Sequence, residues 1–423
     1  MPNYYPLRNK KIYLMLGLAF LSQSTLANAA GDEEANVDAS TLHEDAQRVR
    51  SLDSESALRQ RRLKRDLITD AGNHASLELA DDSEKIKIFG LLQHRWVGNF
   101  RSDEDGRTSS TPDADSVSGF EFRRVEIGLS GSLGIPELNY TVVMAYDGGV
   151  IIAQDIVASY ELNDNWSIAT GRYFAPFLRE ELIGGGGSLA VGLSEMNNNL
   201  SMARGEGLSL KYDSETFRGH VFFSDGKGSG GGDLTLPAAD YAATFRGDLK
   251  VKGDWSQWGN FTAGRDDDTA IFLGAAIHMQ GGESGGMVGT EDLFAWTVDG
   301  SFESSGFNLF FSVAGNHTDV NTGLDIDNYG AVVQLGYMAV PDKIEVFGRY
   351  EHLSFDSDLG YVEDDVTMLT LGANYHINSH AKIAFDTIYA LDPIPNDSPG
   401  AGLLADGVED GQIVARLQFQ LAF

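Results

Sequence analysis

Residues Gln412 to Phe423 read QIVARLQFQLAF. Ile413, Ala415, Leu417, Phe419, Leu421 and Phe423 take one set of alternate positions; Val414, Arg416, Gln418, Gln420 and Ala422 take the other. A period of two is the signature of a strand, here with one apolar face and one largely polar face. Its length suits a tilted strand that crosses a bilayer. A strand of this kind ending on an exposed Phe is out of place in a soluble sandwich and fits the closing strand of a transmembrane barrel.

Composition is consistent with that reading. The chain has 423 residues and a mean hydropathy of −0.19, low enough for a soluble protein but also expected of a barrel whose lumen is wet. After the first residues there is no apolar run long enough for a membrane helix. Glycine is frequent (49) and proline sparse (10), which suits many short strands and glycine-rich loops. Cysteine is absent, so stability rests on packing and backbone pairing rather than on disulfides or a thiolate metal site. A formal net charge of −31 argues against a nucleic-acid partner.

Before the strands come two other segments. Arg8, Lys10 and Lys11 precede the apolar run Ile12 to Leu21, and Ala27-Asn28-Ala29 follows, the order of a secretory signal peptide over residues 1–29. Its removal takes away three positive charges and moves the net charge from −31 to about −34. Residues 30–82 are charged and rich in helix formers, with Leu42, Val49, Ser56 and Leu63 spaced by sevens. This is expected to be a periplasmic segment, either a short coiled coil or a solvated, partly helical or disordered tail. Residues 83–423 form the remaining domain.

Sixteen alternating segments are expected there: 85–100, 119–133, 137–147, 152–162, 165–174, 205–213, 216–224, 239–251, 269–280, 291–303, 306–316, 327–339, 342–353, 364–376, 380–390 and 411–423. Most obey period two; in 306–316 Phe310 breaks it. Tight connections such as Gly134-Ile135-Pro136, Asn163-Asp164-Asn165 and Ser304-Ser305-Gly306 alternate with long polar ones. That alternation is expected of a transmembrane barrel, with short periplasmic turns and long external loops. An even strand count closes the sheet without an edge. Two connections depart from the rule: 148–151 is short where a long loop is due, and 252–268 is long where a turn is due. Trp255 and Trp258 in the latter, with Trp96, Trp166, Tyr140, Tyr160, Tyr173, Tyr212 and Tyr375, are placed in interfacial aromatic girdles.

The third long connection lies within GRYFAPFLREELIGGGGSLAVGLSEMNNNLSMARG, residues 171–205. Its apolar residues, among them Leu189 and Met196, predict that the loop folds into the lumen and constricts it. Phe122-Arg123-Arg124 with Gly128 and Gly131, Gly171-Arg172-Tyr173-Phe174-Ala175-Pro176-Phe177, Glu180-Glu181-Leu182 and Ala203-Arg204 resemble the phosphate-selective porin O and P family. The resemblance covers about 81–423, with specific motifs in 120–135 and 171–205. It implies a sixteen-stranded homotrimeric porin of a Gram-negative-type outer membrane, set in lipid and lipopolysaccharide, delivered by the barrel-assembly machinery, and passing small ions and solutes.

The family's anion ladder directs attention to Arg124, Arg172, Arg179, Arg204, Arg218, Arg246, Lys250 and Arg349 as pore-lining anion contacts, and to Glu180, Glu181, Leu189 and Met196 as the constriction loop. Arginine suits such a path because its planar fork grips phosphate oxygens in pairs and stays charged. Strand parity places Glu126, Asp248, Glu303, Glu345, Glu351 and Asp386 on the same wall. Mixed charge favours weak selectivity over an anion trap. A weakly selective or cation-preferring porin therefore stands as the alternative, with an outer-membrane barrel enzyme and a secreted soluble β protein behind it. No cofactor, metal or catalytic constellation is expected: the nine histidines form no HExxH, and Gly184 to Gly187 lacks the lysine of a phosphate-binding loop.

Overall fold

The computed structural model describes residues 77–81, 84–101, 116–147, 150–228, 239–281, 292–320, 324–357, 364–406 and 410–423. The signal peptide, the heptad segment and parts of several external loops lie outside the described residues.

The strands are β1 (Leu77–Asp81), β2 (Glu84–Phe100), β3 (Ser116–Leu133), β4 (Ile135–Asp147), β5 (Val150–Glu161), β6 (Trp166–Phe174), β7 (Arg204–Asp213), β8 (Phe217–Ser224) and β9 (Tyr241–Lys252). They continue with β10 (Ala270–Gly281), β11 (Asp292–Ser304), β12 (Phe307–Val320), β13 (Leu324–Val340), β14 (Ile344–Ser354), β15 (Asp365–Asn378), β16 (Ala381–Ala390) and β17 (Ile413–Ala422). Strands β2 to β17 form a closed antiparallel meander of sixteen, each paired to its neighbours in sequence. Pairing of β17 with β2, from Ile413↔Phe100 to Ala422↔Leu91, closes the ring. All sixteen expected segments correspond to these strands one for one.

Beyond the end of β17, β1 pairs with Glu84–Ile88 of β2. These five residues belong to the stretch expected to be helical or disordered, and they are a strand instead. They take up the part of the β2 edge that β17 leaves open, satisfying backbone groups that would otherwise be unpaired. The terminal residue is locked in the same way. Gly90 N donates to Phe423 O at 2.7 Å and Phe423 N donates to Gly90 O at 3.0 Å.

Register places side chains on two faces. Leu417, Phe419 and Leu421 share the outer face with Ile383 and Phe385 of β16 and are exposed, while Arg416, Gln418 and Gln420 point inward and are buried. Trp166 and Tyr212 lie outward at a strand end, ring centroids 4.8 Å apart, as a girdle requires. Tyr173 does not join them. It faces inward, 4.7 Å from Phe222, because its neighbours Arg172 and Thr170 take the opposite parity.

The lumen is not an empty tube. The loop between β6 and β7 carries α1 (Arg179–Gly187) and α2 (Glu195–Leu200), and it lies inside the barrel against the inward face of β9 to β17. The long connection between β9 and β10, with the single turn α3 (Trp255–Trp258), folds inward beneath it. Trp255 and Trp258 are buried in the cluster that holds Phe261, Phe272 and Phe310. The girdle expected for these two tryptophans is therefore corrected: they plug the lumen. Phe310, the apparent break in its strand's alternation, packs on Phe261 at 4.4 Å. The eighth external loop also turns inward, burying Ile394, Ala401 and Leu403 against Val414 and Met368.

Candidate functional site: the constriction of the lumen

The third loop is held by polar contacts at every turn. Ser194 caps α2, its Oγ accepting from Asn197 N at 3.0 Å, and Glu351 Oε2 accepts from Glu195 N at 2.5 Å. A carboxylate at a helix N-terminus meets both the free N–H groups and the positive end of the helix dipole. Ser194 donates to Glu180 through its hydroxyl, and Ser194 N donates to Glu180 Oε1 at 2.8 Å. Arg349 lies between Glu180 (3.6 Å) and Glu351 (2.6 Å) and donates to Gly192 O at 2.9 Å. Leu189 and Met196 are fully buried, Met196 seated over Gly330 and Leu189 over Gly336, where any Cβ would collide with them.

Several candidates are thus anchors rather than pore lining. Arg179 is 1% exposed; it donates to Ser301 Oγ at 2.7 Å and to Trp258 O at 3.0 Å. Arg246 is clamped by Asp248 (2.6 Å) and Asp299 (2.9 Å) and donates to Phe177 O at 2.7 Å. Arg349 is as deeply buried. Arg246 and Arg349 would be unpaired buried charges without their acids, so these acids of the wall neutralise anchors. Arg172 is corrected too. Register pairs it with Ile156 and Glu206 on the outer face, and it lies 4.0 Å from Glu206.

The inward face of β3 to β8 is the side the loop leaves partly open. Arg123, Arg124 and Glu126 are all half-buried there. A bulge between Gln93/His94 and Arg124/Phe122 inserts Arg123 as an extra residue. Below it Val125 and Ile127 resume the outward positions held above by Phe120 and Phe122, so Arg123 and Arg124 both turn inward. Arg204 completes the group. It holds Asp155 at 2.9 Å and stacks on Phe174 at 3.6 Å. Glu126 lies within electrostatic reach of Arg123, Arg124, Arg204 and Asp155. Nearer the short turns, Arg218 pairs with Asp213 at 2.8 Å, and Arg218 and Lys250 lie 4.2 Å and 5.6 Å from the Trp255 ring.

Facing these arginines is the glycine run of the third loop. Gln93 Nε2 donates to Gly185 O at 3.1 Å and Gln420 Nε2 to Gly186 O at 3.3 Å. Arg124 Nη1 donates to Gln93 Oε1 at 2.9 Å. A Cβ on Gly185 would sit 2.7 Å from Arg124 Nη1, so glycine there lets the guanidinium lie directly against the loop. Glu181 closes the edge, accepting from Ser201 Oγ at 2.6 Å. Burial pushes its carboxyl up to about 7, against the pull of the Ser201 bond, Arg204 and Lys227. Glu195 also reaches about 7, through burial and then the neighbouring Glu351.

Sequence reasoning missed Arg123 and Arg95, the latter held by Glu121 and by Gly400 O at 3.0 Å. The slip of alternation between Phe122 and Val125 was the readable signal for Arg123. Nothing in the sequence placed Gly400 beside Arg95.

A family model for phosphate-selective porin O and P matches residues 96–421. The chain belongs to that family. It is an outer-membrane porin. The fold is shared with an anion-selective porin from Comamonas acidovorans (15% identity, 80% of this chain, 100% of that one, TM-score 0.55). It is shared as well with the trimer form of OmpT from Vibrio cholerae (13% identity, 81% and 100%, TM-score 0.54). The outer membrane channel DcaP of Acinetobacter baumannii is similar too (12% identity, 81% and 99%, TM-score 0.51). No curated protein sequence gives a significant match.

Proposed function

We propose that the porin is a passive pore preferring small hydrophilic anions of the phosphate class, drawn through the gap between Arg123, Arg124 and Arg204 on one side and the third loop on the other. The observation that carries this reading is the β3 bulge. It aims two successive arginines into the half of the lumen that remains partly exposed, while the more deeply buried Arg179, Arg246 and Arg349 tie down the loop. Forked guanidinium groups that line a narrow aqueous gap offer paired N–H donors to an oxyanion. The same gap contains Glu126, Asp155 and Glu181, and this favours a second reading: a transverse field with weak selectivity.

Reversal potential in planar bilayers under a KCl gradient separates the two. An anion-signed potential with block by added phosphate supports the first reading; a potential near zero or cation-signed, without block, supports the second.

The fold of the OmpT trimer form and the family membership support a homotrimer in lipid and lipopolysaccharide, inserted by the barrel-assembly machinery. Residues 1–29 act as a signal peptide cleaved after Ala29, and residues 30–82, apart from strand β1, form a periplasmic segment. Transport involves no catalytic step and no cofactor.

A further inference from the structure

The connection between β9 and β10, residues 253–269, lies on the side of the barrel where every other connection is tight, and it is the one that is long. Asp254 N donates to Gln257 Oε1 at 3.0 Å and Ser256 N to Asp254 Oδ1 at 2.9 Å, so the turn is built and capped rather than loose. It is attached to the wall at several points. Trp258 Nε1 donates to Asp248 Oδ1 at 3.2 Å, Thr262 Oγ1 to Glu345 Oε2 at 3.1 Å, and Arg265 Nε to Met338 O at 2.7 Å. Asp248 and Glu345 are inward-facing residues, so these bonds place the turn inside the barrel.

It also touches the third loop. Phe261 N donates to Gly187 O at 3.1 Å, and a Cβ on Gly187 would lie 2.8 Å from Gly259 O. Arg179 joins the two elements. Its guanidinium leaves α1, donates to Trp258 O, and sits 5.0 Å from the Trp258 ring and 5.9 Å from Phe261, with Phe272 and Phe310 of the wall at 5.4 and 6.0 Å. A buried cation ringed by aromatic faces and given one backbone and one hydroxyl acceptor is a fixed joint.

We infer that residues 253–269 are a second constriction element, closing the periplasmic half of the lumen beneath the third loop, and that Arg179 is the positioning residue that locks the two into one plug. The plug fills the lumen along β9 to β14 and confines solute to the β3–β8 side. Arg218 and Lys250, held against Trp255, then stand at the periplasmic exit. The inference rests on conduction through the barrel, and not on the ion that is preferred.

The test uses the full-length porin in planar bilayers, with folding verified by heat-modifiable gel mobility. Replacing residues 254–266 by a tight turn is expected to raise single-channel conductance at least about twofold, because pore cross-section sets ion flux. Arg179→Gln is expected to give a larger or flickering open level with the reversal potential unchanged, since Arg179 does not meet the permeating ion. Arg179→Lys, which keeps the charge and loses the fork, should recover part of the parental behaviour. Gly187→Ala, which removes no charge, should move conductance in the same direction by separating loop from turn. Parental conductance in folded Arg179→Gln and Gly187→Ala barrels would overturn the inference, as would parental conductance in the folded turn replacement. A changed reversal potential in Arg179→Gln would instead make Arg179 part of the selectivity path.

Discussion

Arg124 and Arg349 were equal candidates in the sequence, yet their surroundings separate their roles. Arg349 is sealed between Glu180 and Glu351, whereas the Arg124 side chain keeps 16% of its surface accessible, 3.9 Å from Glu126. Arg124→Ala is expected to move the reversal potential toward cations and weaken phosphate block, with little loss of stability, because a part-exposed ion pair contributes about 0–1 kcal/mol. Arg349→Ala is expected to cost about 3–5 kcal/mol by leaving two buried carboxylates uncompensated, read as a lowered unfolding midpoint in urea. Glu181 supplies a pH dependence. Its folded-state pKa lies above the ordinary carboxyl value, so protonation is favoured in the folded state. Docking of the loop therefore loses stability as pH rises from the unfolded value toward about 7, and negative charge appears at the constriction over the top of that window. Anion preference should be higher at about pH 6 than at about pH 8, and Glu181→Gln should abolish most of the difference; an unchanged pH dependence in that variant would remove Glu181 from the gap.

Strands were the legible elements, because period two is a local property and each segment carries its own record of it. Their pairing order followed from the short and long connections. What stayed hidden was everything set by contacts between distant segments. The alternation of QIVARLQFQLAF reveals that Arg416 faces inward, but not that Ala401 O lies 3.2 Å from its Nη1. Trp255 and Trp258 read as girdle residues because a tryptophan near a strand end has no local mark distinguishing membrane from lumen; the length of their connection was the only hint. Gly171 was visible as part of a motif, and its reason is geometric. It has φ of +132°, and a Cβ there would sit 1.9 Å from Ile156 O. Gly171→Ala is expected to destabilise the β5–β6 pairing by more than about 1 kcal/mol, measured as a lower temperature for loss of the folded band on gels. Retention of the parental midpoint would mean that the strands relax around the methyl group.

For the whole molecule, closure of sixteen strands and an apolar outer face account for membrane residence, since the strands pair edge to edge around the ring. A few of the acids behind the net charge of −31 have lumenal roles: Asp248, Asp299, Glu180 and Glu351 neutralise anchoring arginines, and Glu126 and Asp155 oppose Arg124 and Arg204. Net charge therefore says little about ion preference, which depends on the few side chains that meet the permeating solute. The chain is thus proposed to be a conducting pore whose selectivity is set by the arginines of the open β3–β8 side. Single-channel recording of the purified barrel under a KCl gradient, parental protein beside Arg124→Ala and Arg204→Ala, tests it most directly. Discrete conductance steps are expected, with an anion-signed reversal potential that falls in both variants; a folded barrel that does not conduct, or a reversal potential indifferent to both substitutions, would rule out a pore tuned by these arginines.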